Sequence, residues 1–96
     1  MAQELVCVYV SSTNKNLVDF ERDFGWRMIE QKLALDVDLL ERSSLFLNEK
    51  GARKHTGSGR VLAIFADKAN LEPIFARIRA ADPEAKAYAL PVLAVL

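Results

Sequence analysis

The hydrophobic positions of this chain fall into blocks of differing period. Residues 5–10, LVCVYV, form a continuous, β-branched apolar run, as in a central strand buried on both faces. SSTNKN (11–16) then supplies turn and capping residues. Leu17, Phe20, Phe24 and Met28 recur at spacings of three and four, and Ile29 and Leu33 widen the stripe. That spacing predicts an amphipathic helix over about 16–33, in which these side chains are core. Gly25 costs such a helix about 1 kcal/mol relative to Ala. Trp26 lies beside the stripe, so either the helix packs closely at Gly25 or Trp26 covers a second surface. From 33 to 48 the period becomes two. Leu35, Val37 and Leu39 alternate with Asp36, Asp38 and Leu40, and the strand restarts at Leu45 and Leu47 after ERSS, where a bulge fits.

RVLAIFA (60–66) predicts a second central strand. Leu71, Ile74, Phe75 and Ile78 follow at helical spacing, with Asn70 as N-cap and Pro73 in the first turn, where its missing N–H is harmless. DPE (82–84) stops that helix. KAYALPVLAVL reads as a last strand, and Pro91 places it at a sheet edge or a bend. Its wholly apolar end, VLAVL, calls for a neighbouring subunit. The order β-α-β-β-α-β predicts an α+β, ferredoxin-like fold with an antiparallel sheet, one domain over residues 1–96. The connection between the second and third strands is then a flexible basic hairpin loop, residues 48–60. At about 12 residues it exceeds ordinary hairpin loops, and loops of that length are often functional.

Composition adds location to this pattern. The chain is 51% hydrophobic and 27% charged, a globular profile, with a formal net charge of zero. A chain of 96 residues buries only about 65% of its unfolded surface, so a lone subunit is marginal. Residues 1–48 carry eight acidic and five basic side chains, residues 49–60 one and four, and residues 61–96 four of each. A basic patch this local suits a small anion or one partner contact, not a nucleic-acid duplex. Cys7, the one cysteine, excludes an internal disulfide and reads as a buried, reduced thiol. MAQELVC lacks the features of a signal peptide, and no apolar run approaches the ~20 residues that span a bilayer. The expectation is a cytoplasmic protein without membrane insertion.

The candidate chemistry centres on NEKGARKHTGSGR, residues 48–60. Lys50, Arg53, Lys54, His55 and Arg60 stand among Gly51, Gly57 and Gly59. The glycines permit close backbone approach to an anion, and the bases supply charge-assisted donors. The segment reads either as an effector-binding flap or as a solvated hairpin tip. It is not a P-loop: five residues separate Gly51 from Gly57, and Ser58 stands where the motif needs lysine. His55, the one histidine, lies on this loop, a poor mount for preorganised catalysis. Asp36 and Asp38 share a face of the second strand with Glu41 near. That is either a site for a hard divalent ion, with His55 as the other metal candidate, or an acidic solvated face. Tyr88 reads as packed on the sheet or placed at an interface.

VCVYVSS, RMIEQKLALDVDLL, SSLFLNEKG, RVLAIFADKANLEPIFARIRAADPE and YALPVLAV together resemble the CutA divalent-cation-tolerance proteins and the wider PII-like superfamily, over nearly the whole chain. Phe46 and Gly51 keep part of that family's hairpin pattern. Its His-Pro-Tyr-Glu motif is replaced by DPEAKAY, which retains Pro83 and Glu84, and Asp36 stands in place of its cysteine near strand two. The resemblance implies a homotrimer with sheets facing inward and intersubunit clefts covered by the 48–60 loops. It further implies a non-enzymatic regulatory or metal-tolerance protein that signals to a membrane transporter or enzyme target. The effector would be an adenine nucleotide or other anion, or a divalent metal ion. The competing readings are a small dimeric ferredoxin-like enzyme, of isomerase or cofactor-free oxygenase type, with Trp26, Tyr88 and His55 around an apolar cavity, and a purely structural interaction module.

Overall fold

The computed structural model describes residues 4–12, 14–18 and 23–96. Strand β1 (Leu5–Ser11) is followed by the helices α1 (Lys15–Val18) and α2 (Phe24–Glu30). A long hairpin, β2 (Asp36–Leu47) and β3 (Arg53–Asp67), leads through a 3-10 turn (Lys68–Asn70) into α3 (Leu71–Ala81) and β4 (Lys86–Val92). The strands form one antiparallel sheet in the order β2-β3-β1-β4. This is the ferredoxin-like α+β arrangement expected from the sequence. The two strands called central, β1 and β3, are the inner pair, and β4, which carries Pro91, lies at an edge.

The helices cover one face of the sheet. Val6, Val8 and Val10 stand beside Ala66, Ile64 and Leu62 in register, and all six are buried against Leu17, Met28, Ile74 and Ile78. Period-two alternation therefore sends every other residue of β1 and β3 to the opposite face, which no helix among the described residues covers. This corrects the expectation for LVCVYV. Cys7 and Tyr9 are only half-buried, because the strand is central in the sheet but covered on one side.

The first helical region also departs from expectation. The described helical residues are 15–18 and 24–30, and the predicted core position Phe20 lies outside the described residues. The helix stops at Glu30, not Leu33. The Lys32 N–H donates to the Ile29 carbonyl and the Leu33 N–H to the Met28 carbonyl, each at 2.9 Å. With Lys32 at φ 61°, this is a Schellman termination in which lysine occupies the place usually given to glycine. Of the two readings of Gly25 and Trp26, the structure supports a helix in contact at Gly25 and shows no second surface covered by Trp26 among the described residues of the subunit. A β-carbon on Gly25 would meet Val37 Cγ1 at 3.5 Å, so the helix sits close on β2, while Trp26 is exposed.

Asn70 precedes α3 but makes no capping hydrogen bond with its side chain. Its amide donates instead to the carbonyls of Lys32 and Leu33, tying the end of α2 to the start of α3. The Asp67 carboxylate caps the preceding 3-10 turn by accepting from the Ala69 N–H at 2.8 Å.

The largest correction concerns residues 48–60. The connection is only Asn48–Ala52, and Arg53 to Arg60 belong to β3. Asn48 closes this turn: its side-chain oxygen accepts from the Lys50 and Ala52 N–H groups at 2.9 Å, and its carbonyl accepts from Gly51. Gly51, at φ 79°, adopts a left-handed conformation that other residues resist. With the turn closed so tightly, cross-strand pairing continues to Leu47 opposite Arg53. The bulge expected near ERSS is present as a register shift between Arg42 and Ser44, with the extra residue on β3.

Candidate functional site: the uncovered sheet face and the basic ribbon

The uncovered face is built by alternation from all four strands. Cys7 lies between Phe65 and Leu90, and Tyr9 between Ala63 and Tyr88. The rings of Tyr9 and Tyr88 stack with centroids 5.5 Å apart. A hydrogen bond with the Cys7 thiol, and the negative charge that thiol would carry on ionising, hold the Tyr9 phenol above its ordinary pKa. Asp36, Asp38 and Leu40 of β2 complete this face, opposite Phe65, Ala63 and Val61. Tyr88, Leu90 and Leu40 remain exposed, and the tail continues the apolar surface through the exposed Leu93, Val95 and Leu96. The Tyr88 ring stacks on Tyr9 and still leaves half of the residue open, so its packing on the sheet does not exclude a place at an interface.

Beyond the end of β1, where Ser11 pairs with Val61, β2 and β3 run on without a sheet neighbour among the described residues. The remaining seven residues of β2, Glu41–Leu47, make a two-stranded ribbon about 23 Å long. It helps account for the molecule's 51 Å long axis. Register fixes the basic side chains along it. Arg53 pairs with Leu47 and His55 with Leu45 on one side, while Lys54 pairs with Phe46 on the other. Lys50 sits in the turn, Gly57 in the bulged stretch, and Arg60 opposite Glu41 at the base. The predicted site residues thus lie on one element, but strand alternation spreads them along both of its sides. They do not converge on one point within a subunit.

Gly59 has a local reason to be glycine. A β-carbon there would lie 3.2 Å from the Arg42 guanidinium carbon, and Arg42 also donates to the Ser44 hydroxyl. The buried Nε of Arg42 has no hydrogen-bond partner among the described residues. Arg42, unremarked in the sequence, is therefore the base that packs into the bulge. Its signal was the glycine opposite, which register alone reveals.

The metal candidates separate. Asp36 and Asp38 do share a face, but alternation turns Glu41 to the other side, and His55 lies far along the ribbon. Among the described residues no three His, Cys, Asp or Glu side chains come together as a metal site. The residues named for an enzyme pocket also part company. Trp26 is on the helical layer, Tyr88 on the uncovered face and His55 on the ribbon. A single subunit cannot surround one cavity with them. An open cleft of about 230 Å³ does lie between α3 and β4, lined by Phe75, Ile78, Arg79, Asp82, Pro83, Ala85 and Ala87. The Asp82 carboxylate at its rim is held by the Ser12 hydroxyl and the Glu84 N–H.

A ferredoxin-like subunit with an extended β2–β3 ribbon and one bare sheet face belongs to a recognisable structural class. It is the fold of the CutA divalent-cation-tolerance proteins. CutA1 from Oryza sativa superposes with a TM-score of 0.76 at 21% identity, over 98% of this chain and 84% of that one. CutA1 from the psychrotrophic bacterium Shewanella sp. SIB1 gives 0.77 at 12% identity, over 100% and 88%. The periplasmic divalent cation tolerance protein CutA from Archaeoglobus fulgidus gives 0.73 at 16% identity, over 96% and 87%. No protein-family model matches the sequence, and no curated protein matches it. At these identities the likeness is one of fold.

Proposed function

We propose that this chain is a CutA-like tolerance or regulatory protein that works as a homotrimer, binds a small effector and catalyses no reaction. The observation that carries the reading is the uncovered sheet face. Tyr88, Leu90 and Leu40 are exposed on it, next to the apolar tail, while the opposite face is buried. A small domain that leaves one face of its sheet apolar needs a partner for it, and a second and third copy of the same face supply one. The structural likeness to the CutA proteins, including one named as a divalent cation tolerance protein, favours the same class of role.

In this reading the ribbons reach along the clefts between subunits. Lys50, Arg53, Lys54, His55 and Arg60, with the backbone at Gly57 and Gly59, then meet an anionic effector only once bases from neighbouring subunits are combined. Their spread along both sides of the ribbon suits an intersubunit site better than a flap closing on its own chain. An adenine nucleotide or another phosphate-bearing anion fits the charge. A divalent ion at Asp36 and Asp38 is the alternative effector, and it too requires donors from a second subunit. A lone reduced thiol fits a cytoplasmic setting, and no helix among the described residues is long and apolar enough to cross a membrane.

Thermal-shift screening with adenine nucleotides, inorganic phosphate and divalent ions tests the reading, since a ligand that binds only the native state raises Tm. A concentration-dependent rise with one class names the effector. No shift with any of them, at concentrations up to the millimolar range, would remove the effector claim. Deleting residues 92–96 should weaken assembly. Unchanged assembly would take the tail out of the interface.

A further inference from the structure

We propose that the cleft between α3 and β4 binds a free α-amino acid with an aliphatic side chain, at a second site independent of the basic ribbon. The cleft has a local cause in the sequence. β4 and the residue before it turn Ala85, Ala87 and Ala89 toward the helical layer, and side chains this small leave space over the sheet edge unfilled. Phe75 and Ile78 of α3 form the opposite wall of a cavity of about 230 Å³. Pockets for drug-sized ligands run to about 300–1,000 Å³, so this one suits a metabolite smaller than a nucleotide. It lies on the helical side of β4, away from Tyr88 and Leu90, so a homotrimer that covers the bare face leaves it open.

Opposite charges stand at its rim. Arg79, exposed in the last turn of α3, makes no hydrogen bond or ion pair among the described residues, Asp82 included. Asp82 is half-buried and fixed in place. The Ser12 hydroxyl and the Glu84 N–H donate to separate oxygens of its carboxylate, and the Asn14 N–H holds Ser12 Oγ at 2.9 Å. A carboxylate has about four acceptor sites, so Asp82 keeps lone pairs for a further donor. The carbonyl end of α3 adds partial negative charge beside it, which favours an ammonium group there. The free guanidinium of Arg79 offers a planar fork for a carboxylate. An ammonium and a carboxylate joined through one carbon, with an aliphatic side chain on the floor of Phe75, Ile78 and Ala87, satisfy all of these groups together. A plain anion would leave Asp82 unanswered, and a plain amine would leave Arg79 so.

Titration calorimetry of the full-length protein with L-leucine, isocaproate and isoamylamine tests this. The last two are leucine without its amino group and leucine without its carboxylate. L-Leucine should bind saturably, and each truncated compound about tenfold or more weakly, since each loses a charge-assisted hydrogen bond. Arg79→Gln should weaken L-leucine by a similar factor and leave isoamylamine, which has no carboxylate, unchanged. Ala87→Leu fills the floor of the cleft and should abolish binding, with far-UV circular dichroism and Tm confirming that the fold is kept. Arg79→Gln alters an exposed side chain and decides the question if the filled cleft destabilises the fold. No saturable heat with L-leucine at millimolar concentration overturns the proposal. So does isocaproate binding as tightly as L-leucine, or equal L-leucine affinity in wild type and either folded variant.

Discussion

Leu90→Asp separates the two faces of the sheet. Leu90 is 50% exposed in the isolated subunit and lies beside Cys7 on the face without helices. Full burial of a leucine is worth about 1.5–3 kcal/mol, so covering the exposed half contributes about 0.8–1.5 kcal/mol per subunit. Aspartate removes that gain and asks the interface to bury an unpaired carboxylate, a penalty of several kcal/mol. Together these weaken association by about three orders of magnitude or more. Ile74→Ala supplies the contrast. Ile74 is fully buried on the other face, and its truncation should cost about 2–5 kcal/mol of folding stability through transfer and cavity terms. Sedimentation velocity over a range of concentrations, read beside far-UV circular dichroism, distinguishes the outcomes. The Leu90→Asp protein should retain its secondary structure and lose mass. The Ile74→Ala protein should retain mass until it melts, at a lower temperature. A Leu90→Asp protein with the wild-type mass at every concentration would refute the reasoning, because the carboxylate would then be in water.

Lys32→Gly should raise stability by about 0.5–1 kcal/mol, measured by urea denaturation, because it relieves the left-handed strain in the Schellman turn; a loss would show that the lysine makes an offsetting contact. Cys7 should react slowly with a thiol reagent in the wild-type assembly and faster in the Leu90→Asp protein, since the face covering it has opened; equal rates would remove Cys7 from the interface. Arg53→Ala with Lys54→Ala should weaken nucleotide or phosphate affinity by about a hundredfold by titration calorimetry, with Tm in the absence of ligand nearly unchanged. Equal affinities would make the basic strand a solvated surface.

The sequence of elements, the two inner strands and the second helix were legible in the hydrophobic period, and Pro91, which cannot donate to a ladder, marked the last strand as an edge or a bend. Three features were not. The run LVCVYV looks the same whether one or both faces are buried, since Cys7 and Tyr9 are apolar enough for either. The span of the basic segment was misjudged because glycines at 51, 57 and 59 suggest a loop, while the Asn48 side chain closes the turn early and lets pairing continue through them. The end of the first helical region was overrun because a lysine stands where a stop signal normally shows glycine. As for the candidate site, its charges were visible in the sequence. Their division between two sides of a ribbon depends on cross-strand register, which no local pattern of residues states.

If copies of the same chain cover the bare sheet face, the protein in solution is a homotrimer. Multi-angle light scattering of the full-length protein, from low micromolar concentration upward, tests it most directly. Homotrimer assembly gives a single species with the mass of three subunits. A monodisperse monomer across that range, with Tyr88, Leu90 and the tail left in water, would contradict it.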